Sequence, residues 1–444
     1  MQAYYRLPFS LLIMLLAQSA FAKPIDLLSA YQLAVENDAN YQMAYNELMS
    51  TQEVLPQALA ELLPSVNASA SSADVRQETE SSFSGDGKGT GQFRDEGFSV
   101  SIRQTLFDWP QFIRYTQADK QVSKAEIEYQ LAEQQLILRL TERYLDNLQA
   151  EVALSLATDD MKAFAEQLDQ AEQRFKVGVV AITDVHDARA RYDLSVVSQI
   201  AAKDTLASKQ EALKELIQLD KAQLVPLANK LPLASPEPNN IQQWGKTSVE
   251  YNLAIRMAKQ DVAIAKKQIQ LHQSEHYPTV DLVGSHNYNE TGGGSFGTGF
   301  RNESDSIGVE LNLSLFAGGK TVSLTRQAVY DHQKTLDALQ SLQRATLRQA
   351  RDAFRGVSSN LQRIQALERA IISNQSSLQA NEAGLDVGTR TIVDVLNAQS
   401  NLSRAKLQLM EAKNGYILNV LALKAASGSL ALDDIKKING WLQH

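Results

Sequence analysis

The chain has 444 residues, with 51 acidic against 43 basic side chains, a net charge of −8 and no cysteine. That length buries a core without staples, and the missing cysteine excludes disulfide frameworks, thiol nucleophiles, cysteine metal sites and a lipidated N-terminal cysteine. The acidic balance has the wrong sign for a nucleic-acid binder, and 10 prolines leave room for very long helices.

Residues 1–22 read as a cleavable export signal. Arg6 supplies positive charge, 11–17 an apolar run too short to span a bilayer comfortably, and Ala20-Phe21-Ala22 a small-x-small cleavage site. No later stretch approaches the roughly 20 apolar residues of a membrane helix. Any crossing by the exported chain therefore falls to β-strands.

The first repeat, 23–217, opens with an amphipathic helical stretch over 27–61. Pro64 then leads into a weakly alternating strand over 64–75. Its partner is clearer, with Phe98, Val100 and Ile102 alternating with Ser99, Ser101 and Arg103. The polar, Gly/Ser-rich stretch 77–97 between them reads as a loop. From Pro110 to Arg174 there is neither proline nor glycine inside the run. Tyr115, Ala118, Val122, Ala125, Tyr129, Ala132 and Leu136 form a heptad seam along it. At 1.5 Å per residue this helix is a rod of roughly 100 Å. Gly178 ends it, and 183–219 returns antiparallel. Residues 218–248, with Pro226, Pro232, Pro236 and Pro238, read as an irregular equatorial join.

The second repeat, 249–427, follows the same plan. A helix over 249–276 leads to Pro278, a strand over 278–288 and a loop over 289–305. Ile307, Val309, Leu311, Leu313 and Leu315 then alternate with Gly308, Glu310, Asn312 and Ser314. A second rod over 320–383 turns at Gly388 and returns over 391–426, and a polar helix closes the chain within 428–444. The halves superimpose in sequence at offsets of about 209 to 214. Gly178, Ile182, Asp184, Val185 and Ala188 fall over Gly388, Ile392, Asp394, Val395 and Ala398; Pro64 falls over Pro278, and Leu106-Phe107 over Leu315-Phe316. The chain is a tandem duplication.

Four strands cannot close a barrel, and an open sheet in lipid leaves unpaired edges. The strands must enter a shared barrel. Two copies would leave an interior filled by side chains, whereas three would leave an aqueous bore, and four are also permitted. Arg103, Glu310 and Asn312 suit a wet lumen, and the Val/Ile/Leu face suits lipid. Extended by rods of about 100 Å, such a barrel becomes a conduit.

The duplicated hairpins, RFKVGVVAITDV at 174–185 and VGTRTIVDVLNAQ at 387–399 together resemble the TolC family of Gram-negative outer-membrane channel-tunnels, over essentially the whole mature chain. The resemblance implies an α+β membrane protein and a homotrimer. Its twelve-stranded β-barrel in outer-membrane lipid continues as an α-helical coiled-coil barrel through the periplasm, girdled by a small mixed equatorial domain. It further implies efflux or type I secretion, with a periplasmic adaptor (membrane fusion) protein and an inner-membrane translocase of RND, ABC or MFS type as partners. By motif, Asp394 and Asn397 take the positions of the pore constriction, where the family carries two aspartates. Asn397 departs from that pattern, so one anionic ring is expected in place of two. Asp394 equally suits a helix cap. Asp184 with Arg390, and the position of Leu385, correspond to the latch between neighbouring hairpins. Leu385 cannot donate a hydrogen bond, so that link is missing or replaced. Gly178 and Gly388 form the tip turns. Phe107, Trp109, Phe112 and Phe316 suit an interfacial aromatic belt.

A pore-less periplasmic adaptor or coiled-coil scaffold is the competing reading, though adaptors generally carry one helical hairpin and no strand pairs. His272 and His276, four apart, could form a metal pair, but exposed neutral histidines account for them. No phosphate loop or catalytic triad pattern is present. The chain reads as a non-enzyme that needs no cofactor and no metal.

Overall fold

The computed structural model describes residues 24–81, 87–220, 223–293 and 298–443; the export signal expected at 1–22 lies outside them. Three short helices, α1 (Leu27–Asn37), α2 (Ala39–Gln52) and α3 (Val54–Ala60), lead into strands β1 (Ser65–Ser81) and β2 (Gly87–Phe107). The rod α4 (Trp109–Lys176) and its return α5 (Ile182–Ile217) complete the first repeat. The second contains α6 (Ile241–Tyr251), α7 (Leu253–Ser274), β3 (Thr279–Thr291), β4 (Phe300–Asn312), α8 (Lys320–Asp386) and α9 (Ile392–Ala426), and α10 (Leu432–Asn439) follows. The rods are 68 and 67 residues long.

The stretches read as single helices over 27–61 and 249–276 are broken. Asp38 leaves the helical conformation and its side chain caps Tyr41 N at 2.7 Å. Asn252 does the same for Ile255 N at 3.2 Å. The two breaks are equivalent under the repeat. Asp38 is only 2 % exposed and is held by Arg139 Nη2 at 2.9 Å. Asn252 Nδ2 instead donates to Ala426 O of α9 at 3.1 Å.

The strands run further than the alternation suggests. β1 and β2 stay paired from Ser65↔Arg103 out to Ser81↔Gly87, through residues expected to form a loop. β3 and β4 pair from Thr279↔Asn312 to Thr291↔Phe300. Backbone pairing sustains these outer ends, where the sequence carries too little apolar alternation to detect. In the opposite sense, β4 stops at Asn312 although the alternation continues to Leu315. The antiparallel sheet has the order β1-β2-β3-β4. One face carries Val66, Ala68, Ala70, Phe98, Val100, Ile102, Val280, Leu282, Ile307, Val309 and Leu311; the other carries Ser69, Ser99, Arg103, Asp281, Ser285, Ser306 and Glu310. On the polar face Arg103 bridges Asp281 at 2.9 Å and Glu310 at 3.2 Å across three strands.

The main core lies where the rods cross the equator. Leu136, Ile137, Leu140, Tyr144 and Leu145 of α4 cluster with Ile417 and Leu421 of α9, Leu27 of α1 and Ile435 of α10. The Tyr144 hydroxyl lies 2.8 Å from Val225 O and 3.0 Å from Ile25 O, and accepts from Val225 N at 3.1 Å. Burial pushes its pKa far above the ordinary tyrosine value. Single bridges, Ile25↔Leu224 and Leu227↔Leu442, tie the join and the C-terminal segment to this layer. The join is shorter than 218–248, because Asn240 caps α6 and helix begins at Ile241.

Candidate functional site at the helical tips

Both rods end in the same turn. Gly178 and Gly388 have φ of 75°, a conformation that costs glycine little, and an added Cβ would meet nothing within 4 Å. Val179 N returns to Arg174 O at 2.9 Å and Gly178 N to Phe175 O at 2.9 Å. Thr389 N to Gly384 O at 2.8 Å and Gly388 N to Leu385 O at 3.2 Å repeat the pattern. These are paired Schellman closures, which satisfy the last carbonyls of each rod.

The returning helices start differently. Thr391 caps α9 by accepting from Asp394 N at 3.2 Å, while Asp394 Oδ2 accepts from Thr391 N and Thr391 Oγ1, each at 2.9 Å. This reciprocal capping box has no counterpart on α5, whose cap position is Ala181. The Thr391 hydrogen bonds, with smaller help from Arg390, hold the Asp394 carboxyl below the usual carboxylate range. Only Oδ2 is spent on the cap.

Asn397 is exposed, and its Oδ1 accepts from Arg191 Nη2 of α5 at 3.0 Å. A guanidinium thus sits beside the position at which the family resemblance places a second carboxylate and this chain carries an amide. Leu385 is buried with Phe164, Val185, Ile392 and Leu396 in a separate apolar cluster that glues the tips. Its side chain donates no hydrogen bond, but its carbonyl accepts one: Arg174 Nη1 donates to Leu385 O at 3.3 Å, and Nη2 lies 3.5 Å from Asp386. Arg174 therefore staples the end of α4 to the end of α8. Sequence reasoning missed it, because a carbonyl acceptor leaves no trace in residue type. Asp184 and Arg390 do not pair within one chain. Asp160 gathers Gln399 at 2.7 Å and Ser403 at 2.6 Å, joining α4 to α9 above the tips.

At the opposite end of the rods Trp109 and Phe112 stack at 5.1 Å. Phe107 and Phe316 are exposed beside the strand ends, Phe316 at 87 %. His272 bonds to Glu275 at 2.8 Å and to Gln268 at 3.1 Å. Among the described residues no cluster of three ligating side chains occurs.

A sheet with one apolar and one polar face, continued by two antiparallel rod hairpins, defines a building block of a membrane channel-tunnel. The profile of the outer membrane efflux protein family matches residues 30–217 and 244–429, one match per repeat, and the chain belongs to that family. It is 31 % identical over 420 residues to the outer membrane protein TolC of Vibrio cholerae serotype O1, covering 94 % of each chain. It is 28 % identical over 436 residues to the alkaline protease secretion protein AprF of Pseudomonas aeruginosa, covering 97 % of this chain and 89 % of that one. The fold matches the crystal structure of the Campylobacter jejuni CmeC outer membrane channel with a TM-score of 0.79 at 16 % identity, over 94 % of this chain and 90 % of that one. The family is one of transport ducts, not enzymes, and its place is the outer membrane.

Proposed function

We propose that three copies of this chain close into an outer-membrane exit duct for multidrug efflux, type I protein secretion or both. The observation that carries this reading is the pair of open edges. β1 and β4 each have one unpaired side in a four-stranded sheet, an arrangement lipid does not tolerate. Below the equator the helices stand in the order α5, α4, α9, α8, again with two free flanks. Leu194, Val197 and Ile200 of α5 and Ile372 of α8 lie exposed on these flanks, more than 60 % each. Copies placed side by side satisfy both kinds of edge at once. Three supply twelve strands, enough for a bore. Apolar sheet faces then meet outer-membrane lipid, and the rods carry the tube into the periplasm.

The tips form the gate in this reading. Asp394 lines the constriction with its free Oδ1, and Arg390 meets Asp184 of a neighbouring hairpin when the tips are shut. The helical ends engage a periplasmic adaptor protein, through which an inner-membrane translocase of RND, ABC or MFS type delivers cargo. The family's description as efflux proteins and the name of the protease-secretion relative support both cargo classes.

The test is single-channel recording of purified protein in planar bilayers, with Arg390→Ser alongside. Small, cation-selective steps that enlarge in the variant are expected. Equal steps in both would remove the latch, and silence from folded, inserted protein would remove the duct.

A further inference from the structure

The internal duplication is a template for the seam between copies, an inference that rests on the trimeric ring of the proposed duct. Within one chain the repeats meet where α4 packs on α9. There Asn414 Nδ2 donates to Leu145 O and Gln149 Oε1, each at 3.1 Å, and Leu145, Leu148, Ile417 and Leu421 share the buried equatorial cluster. A shift of about 210 positions carries α4 onto α8 and α9 onto α5. The outer seam of a ring therefore sets α8 of one copy against α5 of the next.

The chemistry of the seam changes under that shift. Gln134, Thr141 and Leu145, buried on α4, become Arg344, Arg351 and Arg355 on α8; Arg348 joins them on the same face. On the opposing wall Asn414, Leu421 and Ala425 of α9 become Asp204, Glu211 and Glu215 of α5. All seven charged side chains are exposed in the single chain. The arginines recur at alternating steps of four and three, one face of a helix. That face lies opposite the one that buries Thr346, Ala350, Ala353 and Val357 within the chain. Arg355 reaches only Asp352 of its own helix.

We propose that Arg344, Arg348, Arg351 and Arg355 of α8 interlock with Asp204, Glu211 and Glu215 on α5 of the adjacent copy, making an ionic seam level with the equatorial core. Equivalence under the repeat sets Asp204 near Arg355 and Glu211 near Arg351. Further towards the tips Val197 and Ile200 continue the contact as apolar residues. The device sorts the two kinds of seam. The arginine face of α8 laid on another copy's α9, in the place α4 takes within a chain, would strand four guanidinium groups on Ile417 and Leu421, whereas α5 offers them carboxylates, so neighbouring repeats close in one order only.

Charge reversal tests it in the full-length protein. Arg351→Glu with Arg355→Glu, and separately Asp204→Arg with Glu211→Arg, should each lower the temperature at which SDS dissociates the oligomer by about 10 °C or more, and the fourfold combination should recover most of that loss. Native mass in mild detergent is read alongside. A wild-type trimer whose reversed variants dissociate at the wild-type temperature overturns the ionic seam and leaves the ring standing. A folded wild type that is monomeric overturns the ring as well. Should the reversals fail to fold, Arg351→Gln and Glu211→Gln take their place. Added salt is then expected to lower the wild-type dissociation temperature and to affect these variants less; equal salt responses overturn the seam.

Discussion

An amide stands at 397 where the family resemblance leads one to look for a carboxylate, and the surroundings have changed with it. Arg191 places a guanidinium 3.0 Å from Asn397 Oδ1. Restoring the acid alone would therefore make an ion pair with Arg191 and leave the field in the bore little altered. Asn397→Asp is expected to change cation preference weakly. Paired with Arg191→Gln it should strengthen both cation preference and block by divalent ions, read as reversal potential and current block in bilayers. Comparable effects from Asn397→Asp alone would show that Arg191 does not screen the site. Asp394 has a pH signature of its own. Thr391 lowers its pKa in the folded tip, so its contribution is complete above the unfolded carboxylate value of about 3.9 and is lost as pH falls through the lower folded value. Cation preference resting on Asp394 should thus survive mild acid. The turn glycines and Asp394 were legible because spacing and residue type announce them. Arg174 was not, since it binds the backbone of Leu385.

Between elements, close approach decides what the helices tolerate. α8 and α9 meet through two reciprocal pairs, Gly356 beneath Asn419 and Gly415 beneath Asn360. A Cβ added at Gly356 would fall 2.2 Å from Asn419 Oδ1, and Asn419 is already held by its bond to Gly415 O at 2.6 Å. Gly356→Ala gains helix propensity of about 1 kcal/mol but must displace Asn419, and overpacking of this kind typically costs about 1–3 kcal/mol. The expected result is a net loss of thermal stability, with Gly356→Ala/Asn419→Ala recovering it; a Gly356→Ala protein more stable than wild type would show that α8 and α9 can part. The same scale marks where sequence reading stopped. Rods, hairpins and the duplication were visible because each imposes a period. The breaks at Asp38 and Asn252 carry no proline or glycine and depend on partners over 100 residues away, Arg139 and Ala426. The outer ends of β1 and β2 are paired through the backbone, which their polar, loop-like composition does not announce.

For the whole molecule, the discrepancy at β4 bears on closure of the barrel. Alternation runs on to Leu315, yet β4 ends at Asn312, and Leu313 and Leu315 lie exposed. In the first repeat the equivalent residues of β2 are held by β3, with Gln104↔Leu282 and Phe107↔Val280. Transferred through the duplication, that register sets Leu313 opposite Ala68, and Phe316 opposite Val66, in β1 of the next copy. In the proposed ring the last turn of alternation is then a strand whose partner belongs to another chain. The absence of cysteine makes the test clean. Leu313→Cys with Ala68→Cys places thiols on the same outward face about 5 Å apart at Cβ, close enough for a disulfide. Mild oxidation should give covalent oligomers up to trimer on non-reducing gels. Leu313→Cys with Asn67→Cys should give almost none, because a one-residue slip moves a side chain to the other face. Equal cross-linking of the two pairs would refute this register, and none from either pair in assembled protein would place β1 of the neighbouring copy elsewhere.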